Sequence, residues 1–330
     1  MRILVCLLFI CSYISLSAQD TFSIVAMDEE TGEVGSAGAS CVDLFNFGGL
    51  TDHFLGELVP GQAAINTQAY YIPANQDNAL NQILGGNTPQ GTLDWLLFND
   101  VNLSPQFRQY GIVAMVDDSI QAAAFTGSNT DDYKGHVVGP NYAIQGNILL
   151  GPVVLQQMET AFLEAEGDLA CKLMAAMQGA NIIGADGRCL QNGTSSLFAF
   201  LKVAQPEDEF GDPSFLVSVR TANGAGIEPI DSLQILFDQE KDCIPSSTKE
   251  TIGNSLKLFP NPFNEQIKLN YEEGDYSGFA EFWDLPSGAK HYTKPVVDNV
   301  IDTRDLENGL YLIRLENKGD VIYKRMLKRN

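Results

Sequence analysis

Side chains able to do chemistry are sparse in this 330-residue chain, and their distribution excludes more than it permits. The three histidines, His53, His136 and His291, are scattered singly. That argues against His-rich metal catalysis and weakens any Ser-His-Asp arrangement. Of six cysteines, Cys6 and Cys11 sit in an apolar N-terminal stretch, leaving Cys41, Cys171, Cys189 and Cys243. An even number in an exported chain permits two disulfides in three pairings. The expected pairing is Cys171–Cys189 with Cys41–Cys243. None of the four has CxxC spacing or a nearby histidine, so no zinc site, other metal or cofactor is expected.

The formal net charge is −22, concentrated in residues 20–252, where 30 acids face 8 bases. Affinity for nucleic acid comes largely from Lys and Arg on phosphates, so a nucleic-acid partner is not expected. The acidic runs Asp131-Asp132 and Glu207-Asp208-Glu209 lack EF-hand spacing and read as solvated loops.

Met1-Arg2 followed by an apolar stretch through Leu16, then Ser15, Ser17 and Ala18, reads as a signal peptide over residues 1–18. Cleavage after Ala18 leaves Gln19 first; cleavage after Ser17 is the alternative. No other apolar run is long enough to span a bilayer as a helix. The remaining chain divides into a domain over 19–238, a polar linker over 239–253 and a tail over 254–330.

Alternating apolar residues and the turn Asp28-Glu29-Glu30-Thr31-Gly32 predict a hairpin of strands 21–28 and 33–42, the second rich in Gly, Ala and Ser. Residues 62–69 read as a strand, and 110–116 with 120–125 as a second hairpin around Asp117-Asp118-Ser119. Thr88-Pro89 opens a helix as N-cap and first helical residue. Val154, Met158, Phe162 and then Leu169, Leu173, Met177 recur at helical spacing. Strands over 194–203 and 214–221 and a helix over 230–237 close the domain. The pattern is α+β, with antiparallel sheets covered by helices. The tail breaks into seven short strands, the pattern of a small all-β, immunoglobulin-like sandwich.

Phe259-Pro260-Asn261-Pro262, Asp284-Leu285-Pro286-Ser287-Gly288, Leu306-Glu307-Asn308-Gly309-Leu310-Tyr311 and Tyr323-Lys324-Arg325-Met326-Leu327 carry a resemblance to the type A sorting domain of type IX secretion. It implies the type IX machinery as partner and transport through periplasm and outer membrane, ending in secretion or surface attachment.

Thr21-Phe22-Ser23-Ile24-Val25-Ala26, Thr67-Gln68-Ala69, Arg108-Gln109-Tyr110-Gly111, Thr126-Gly127, Gln145-Gly146-Asn147 and Gly184-Ala185-Asp186-Gly187-Arg188 lie in order along the core. On these segments the core resembles domain-of-unknown-function family 1028, placed among folds like the N-terminal-nucleophile (Ntn) hydrolases. The resemblance implies a four-layer αββα sandwich and hydrolysis of an amide bond in an unknown small molecule or peptide. Thr21 would be nucleophile, Asn147 an oxyanion donor, and Asp186 and Arg188 orienting groups, with Ser40, Gln68 and Arg108 toward substrate.

The chemistry depends on position. In an Ntn enzyme the first residue supplies a hydroxyl nucleophile and, through an α-amine of pKa near ~8, its own base. Small residues over 35–40 would let substrate lie beside it. Signal cleavage leaves residues ahead of Thr21, so the chemistry requires a further cut after Asp20. Each assignment has a structural competitor: Thr21 as the plain start of a strand, Gly146-Asn147 and Asp186-Gly187 as turns, Arg108 and Asp186 as a buried pair, and His136 as a loop residue. A binding module using the same cleft without turnover is the alternative function.

Overall fold

The computed structural model describes residues 21–46, 49–243, 256–271, 278–284, 290–317 and 320–329. The expected signal peptide, most of the expected linker and residues 285–288 of the tail motif lie outside them. The chain forms two compact units, Met1–Asp242 and Cys243–Asn330.

In the first unit, β1 (Thr21–Met27) and β2 (Val34–Ser40) form the expected antiparallel hairpin. Its turn is built by Asp28, whose carboxylate accepts the N–H groups of Glu30 and Thr31 at 3.0 and 2.9 Å. With β7 (Gly135–Val138), β8 (Tyr142–Asn147), β9 (Phe198–Ala204) and β10 (Phe215–Arg220) they make a six-stranded sheet in the order β10-β9-β2-β1-β8-β7. A second sheet runs β3 (Gly56–Val59), β4 (Ala63–Gln68), β5 (Gln109–Val116) and β6 (Ser119–Thr126). Asp117 and Asp118, at φ 47° and 58°, form the two-residue loop between β5 and β6, a geometry that suits strand twist.

The two sheets stack face to face. Helices α1 (Pro73–Leu84) and α2 (Pro89–Phe98) cover the outer face of the second sheet, burying Ala79, Ile83, Leu93 and Leu96 against Ile65, Tyr110 and Ile112. Helices α3 (Val153–Glu164), α4 (Leu169–Gly179) and α5 (Pro229–Glu240) cover the first. The result is four layers, αββα. Thr88 caps α2 by accepting from Gly91 N–H at 3.0 Å, as its position before Pro89 predicts.

Some expectations need correction. Strand β9 begins at Phe198 rather than 194, because residues 194–197 bond elsewhere: Gly184 N–H donates to Thr194 and Asp186 N–H to Ser195. Helix α1 was not expected; its Asn- and Gln-rich sequence hides the apolar spacing. Gly146 and Asn147 end a strand rather than form a turn. The small residues of β2 serve packing rather than an open bed for substrate. A Cβ on Gly38 would lie 2.9 Å from Ser23 Cβ and 3.1 Å from the Phe200 ring, and all seven residues of the strand are buried.

The second unit is all β. Strands β11 (Leu256–Phe259), β12 (Gln266–Tyr271) and β15 (Val300–Asp302) form one sheet. The other holds β14 (Lys290–Val296), β13 (Gly278–Asp284), β16 (Gly309–Asn317) and β17 (Asp320–Lys328). Ile267, Leu269 and Ile301 from one sheet share a core with Phe282, Ile313 and Leu315 from the other, making a small sandwich.

Candidate functional site

The space between the stacked sheets changes character along the strands. Toward Met27 it is apolar, filled by Val25, Met27, Val34, Leu58, Ala64, Val113 and Ala143. Toward Thr21 it is lined by hydroxyls and amides. Side chains alternate along a strand, and register partners project to the same face. Thr21 opposes Ser40 in β2 and Asn147 in β8, so these three form one row across the sheet, all buried.

One step along the strands, Ser23 Oγ donates to Gln68 Oε1 at 2.6 Å and accepts from Gln145 Nε2 at 2.6 Å. Gln68 Nε2 donates to the Thr21 carbonyl at 3.2 Å and to Gln109 Oε1 at 2.7 Å. Gln109 in turn donates to the Gly146 carbonyl at 2.9 Å and to Thr126 Oγ1 at 2.8 Å. Gln145 owes its place to Gly111 opposite, where any Cβ would run into the Gln145 amide. Pairing of this kind offsets the cost of burying these amides, and Gln145 Oε1 is left without a hydrogen-bond partner among the described residues.

Asp186 closes the end of this row. Its carboxylate accepts from Cys41 N–H at 2.7 Å, one residue beyond Ser40. It also accepts from the Arg188 N–H at 3.1 Å and its guanidinium at 3.0 Å, starting the 3-10 helix Gly187–Asn192. Gly187 N–H donates to the Ile148 carbonyl, just past Asn147. Asp186 thus fastens to the ends of both strands that flank Thr21. Burial pushes its carboxyl above the ordinary value, while Arg188 and the Cys41 N–H pull it back. The docking of this turn also explains the disulfide: Cys189, three residues on, bonds Cys41. That overturns both expected pairs, Cys171–Cys189 and Cys41–Cys243. Cys171 and Cys243 are disulfide-bonded as well.

The structure therefore brings Thr21, Ser40, Gln68, Asn147, Asp186 and Arg188 to one end of the sandwich. Arg108 is placed differently. Its guanidinium pairs with Asp100 at 2.8 Å and donates to the Tyr70 carbonyl at 2.8 Å, and it is 5 % exposed. The buried pair Arg108–Asp186 does not form; each has its own partner. Arg108 holds Ala69 and Tyr70, at φ 52° and 30°, in the segment directly after Gln68.

Sequence reasoning missed Ser23, Gln109 and Gln145 as members of the network. The available signal was a glutamine at an inward position of an otherwise apolar strand. His136 is also not a loop residue. It lies in edge strand β7, with Nδ1 2.9 Å from Thr126 Oγ1, and burial lowers its pKa. Among the described residues, no three His, Cys, Asp or Glu side chains converge as a metal would require.

Residues 21–221 match the model of a family of unknown function, DUF1028. The chain belongs to that family. A crystal structure of a DUF1028 protein from Silicibacter pomeroyi is 26 % identical, with a TM-score of 0.50, covering 67 % of this chain and 88 % of that one. Residues 257–329 match a secretion system C-terminal sorting domain. This DUF1028 protein is accordingly secreted or attached to the cell surface, and its tail addresses it to the type IX machinery. No helix among the described residues is long and apolar enough to cross a membrane. No curated protein matches the chain.

Proposed function

We propose that this exported DUF1028 protein is an amide hydrolase of the Ntn type, with Thr21 as its nucleophile once the chain is cut after Asp20. The observation that carries the reading is the row Ser40–Thr21–Asn147 at the polar end of an αββα sandwich. A nucleophile at the head of a central strand is held by ladders on both sides, the rigid placement that attack within ~3–3.5 Å of a carbonyl demands. Thr21 Oγ attacks the substrate carbonyl carbon and the new α-amine takes the hydroxyl proton. The carbonyl oxygen becomes an oxyanion facing the Asn147 amide. The α-amine returns the proton to the leaving nitrogen as the C–N bond breaks, leaving an ester on Thr21 for water to hydrolyse. Asp186 and Arg188 orient the strand ends that frame this space. The substrate is a small molecule or peptide.

A second reading has its own observation: Thr21, Ser40 and Asn147 are all fully or almost fully buried. With Asp20 in place Thr21 has no free α-amine, and the domain would then be a non-catalytic binding module. N-terminal sequencing of protein recovered from culture medium, with turnover of a panel of amide substrates by wild type and Thr21→Ala, separates the two. A chain beginning at Thr21 with activity lost in Thr21→Ala supports hydrolysis. A chain intact at Gln19, with both proteins behaving identically, overturns it in favour of binding.

A further inference from the structure

A pocket of roughly 580 Å³ opens in the same domain, well away from Thr21. Lys202 in β9 is at its base. Through Ser36 it shares a row with Val25, four residues from the Thr21 row, so about 13 Å along the strands separates the two. Lys202 is 6 % exposed, and its Nζ donates to the Gly56 carbonyl at 2.5 Å. An ammonium carries three donors. Gly56 takes one, and no other described residue accepts from Lys202. The charge of Glu57, also in the lining, opposes the lowering of the Lys202 pKa that burial causes. A buried cation facing a cavity with donors to spare is costly unless acceptor oxygens reach it.

The mouth has the opposite chemistry. Exposed Glu209 and Asp212 stand on the loop between β9 and β10. That loop is fixed by an antiparallel backbone bridge between Glu209 and Asp212 and by Asp208, whose carboxylate accepts from Gln205 and Ser214 N–H at 2.8 and 2.7 Å. Phe54 and Leu216 add apolar wall to the pocket. A simple anion meets Glu209 and Asp212 at the rim and Glu57 near Lys202, and a simple amine supplies no acceptor for the remaining Lys202 N–H groups.

We propose that this pocket is a second ligand site, taking a small zwitterion such as a free amino acid or short peptide. The ligand carboxylate accepts from Lys202 and its ammonium faces Glu209 and Asp212. The site does not depend on hydrolysis at Thr21.

The test is titration calorimetry on the full secreted chain carrying Thr21→Ala, so that no probe is consumed. The probes are dipeptides with apolar side chains, their N-acetyl forms and their C-terminal amides. Free dipeptides should bind one per chain, and either cap should weaken binding tenfold or more. Lys202→Met and the double variant Glu209→Gln, Asp212→Asn should each do the same. The double variant changes only exposed loop residues, so it remains informative if Lys202→Met fails to fold. Absence of saturable binding by every free dipeptide overturns the proposal. So does binding that neither the caps nor the rim variant weakens, which would place the dipeptide elsewhere.

Discussion

Gln68 reaches from the second sheet to the first and donates its amide to the carbonyl oxygen of Thr21 at 3.2 Å. The contact fixes the first residue of β1 from the facing layer, in addition to the strands on either side. Since Gln68 also accepts from Ser23 and donates to Gln109, one side chain joins three strands at the polar end of the sandwich. Whatever happens at Thr21 happens on a frame set by this amide.

Replacing Gln68 by Leu should therefore cost far more than an exposed substitution. The variant keeps the volume and removes the acceptor of the Ser23 hydroxyl and the Gln68 amide that donates to Gln109 Oε1 and the Thr21 carbonyl, all buried. A buried polar group left without a partner costs about 1–3 kcal/mol. Urea unfolding of Gln68→Leu should show a midpoint lowered by an equivalent amount at unchanged slope. An unchanged midpoint would mean that the network contributes nothing to stability.

Arg108 offers a pH-dependent test. Burial works against ionisation of Asp100, but the Arg108 guanidinium, the Ser104 N–H and the Asn75 amide outweigh it and hold the pKa below its ordinary value. A carboxylate with a depressed folded pKa contributes stability that is full above its unfolded value, near ~3.9. That contribution is lost as pH falls through the folded value. Arg108→Met leaves Asp100 buried without its cation and should cost about 3–5 kcal/mol at neutral pH. Below the carboxylate range the deficit should shrink, because Asp100 is then protonated in both proteins. Unfolding curves of the two proteins at pH 7 and below the carboxylate range check the sign. A deficit that stays constant would assign the loss to packing alone.

The Cys41–Cys189 bond spans 148 residues and joins the end of β2 to the turn that carries Asp186. Removing a native disulfide from an exported domain costs about 2–5 kcal/mol. The Cys41→Ser, Cys189→Ser double variant should melt several degrees lower, and reductant should move the wild type in the same direction. Because Cys41 N–H also donates to Asp186, limited proteolysis should cut first within residues 184–193 of the variant. Cutting elsewhere would detach the disulfide from the seating of Asp186.

How far the sequence could be read follows from which interactions are local. The hairpin β1–β2, the capped start of α2 and the helices α3 and α4 are written in neighbouring residues: Asp28 in its turn, Thr88 before Pro89, and Val154, Met158 and Phe162 on one face. The tail motifs are contiguous too, and identified its export route. Family resemblance picked out residues that the fold brings to one end of the sandwich, but it did not show the network that joins them. Gln68, Gln109 and Gln145 meet only when two sheets stack, and no spacing along the chain records that. The same limit explains the disulfide. Cys189 follows an Asp whose partner, the Cys41 N–H, is 145 residues away, so proximity in sequence to Cys171 was misleading. Arg108 shows a related limit: its spacing along the chain does not record that Asp100 pairs with its guanidinium.

The state of the N-terminus decides whether Thr21 can attack. In the proposed mechanism the base is the α-amine of Thr21, which exists only when residue 20 is gone. A protein prepared to begin at Thr21, released by a protease that leaves no extra residue, should turn over amide substrate without maturation. The same protein with Asp20 retained should be inactive until cut, since an amide nitrogen cannot accept the hydroxyl proton. The sign of the pH dependence follows from the same group. Only the unprotonated amine is a base, so the rate should rise with pH through the α-amine range near ~8 and level off above it. Thr21→Ser keeps a hydroxyl and an amine and should retain activity, whereas Thr21→Ala keeps the amine alone and should lose it by several orders of magnitude. Equal rates for the chains starting at Asp20 and at Thr21 would remove the α-amine from the mechanism, even if Thr21→Ala were inactive. The proposed chemistry would then have to find another base near Thr21.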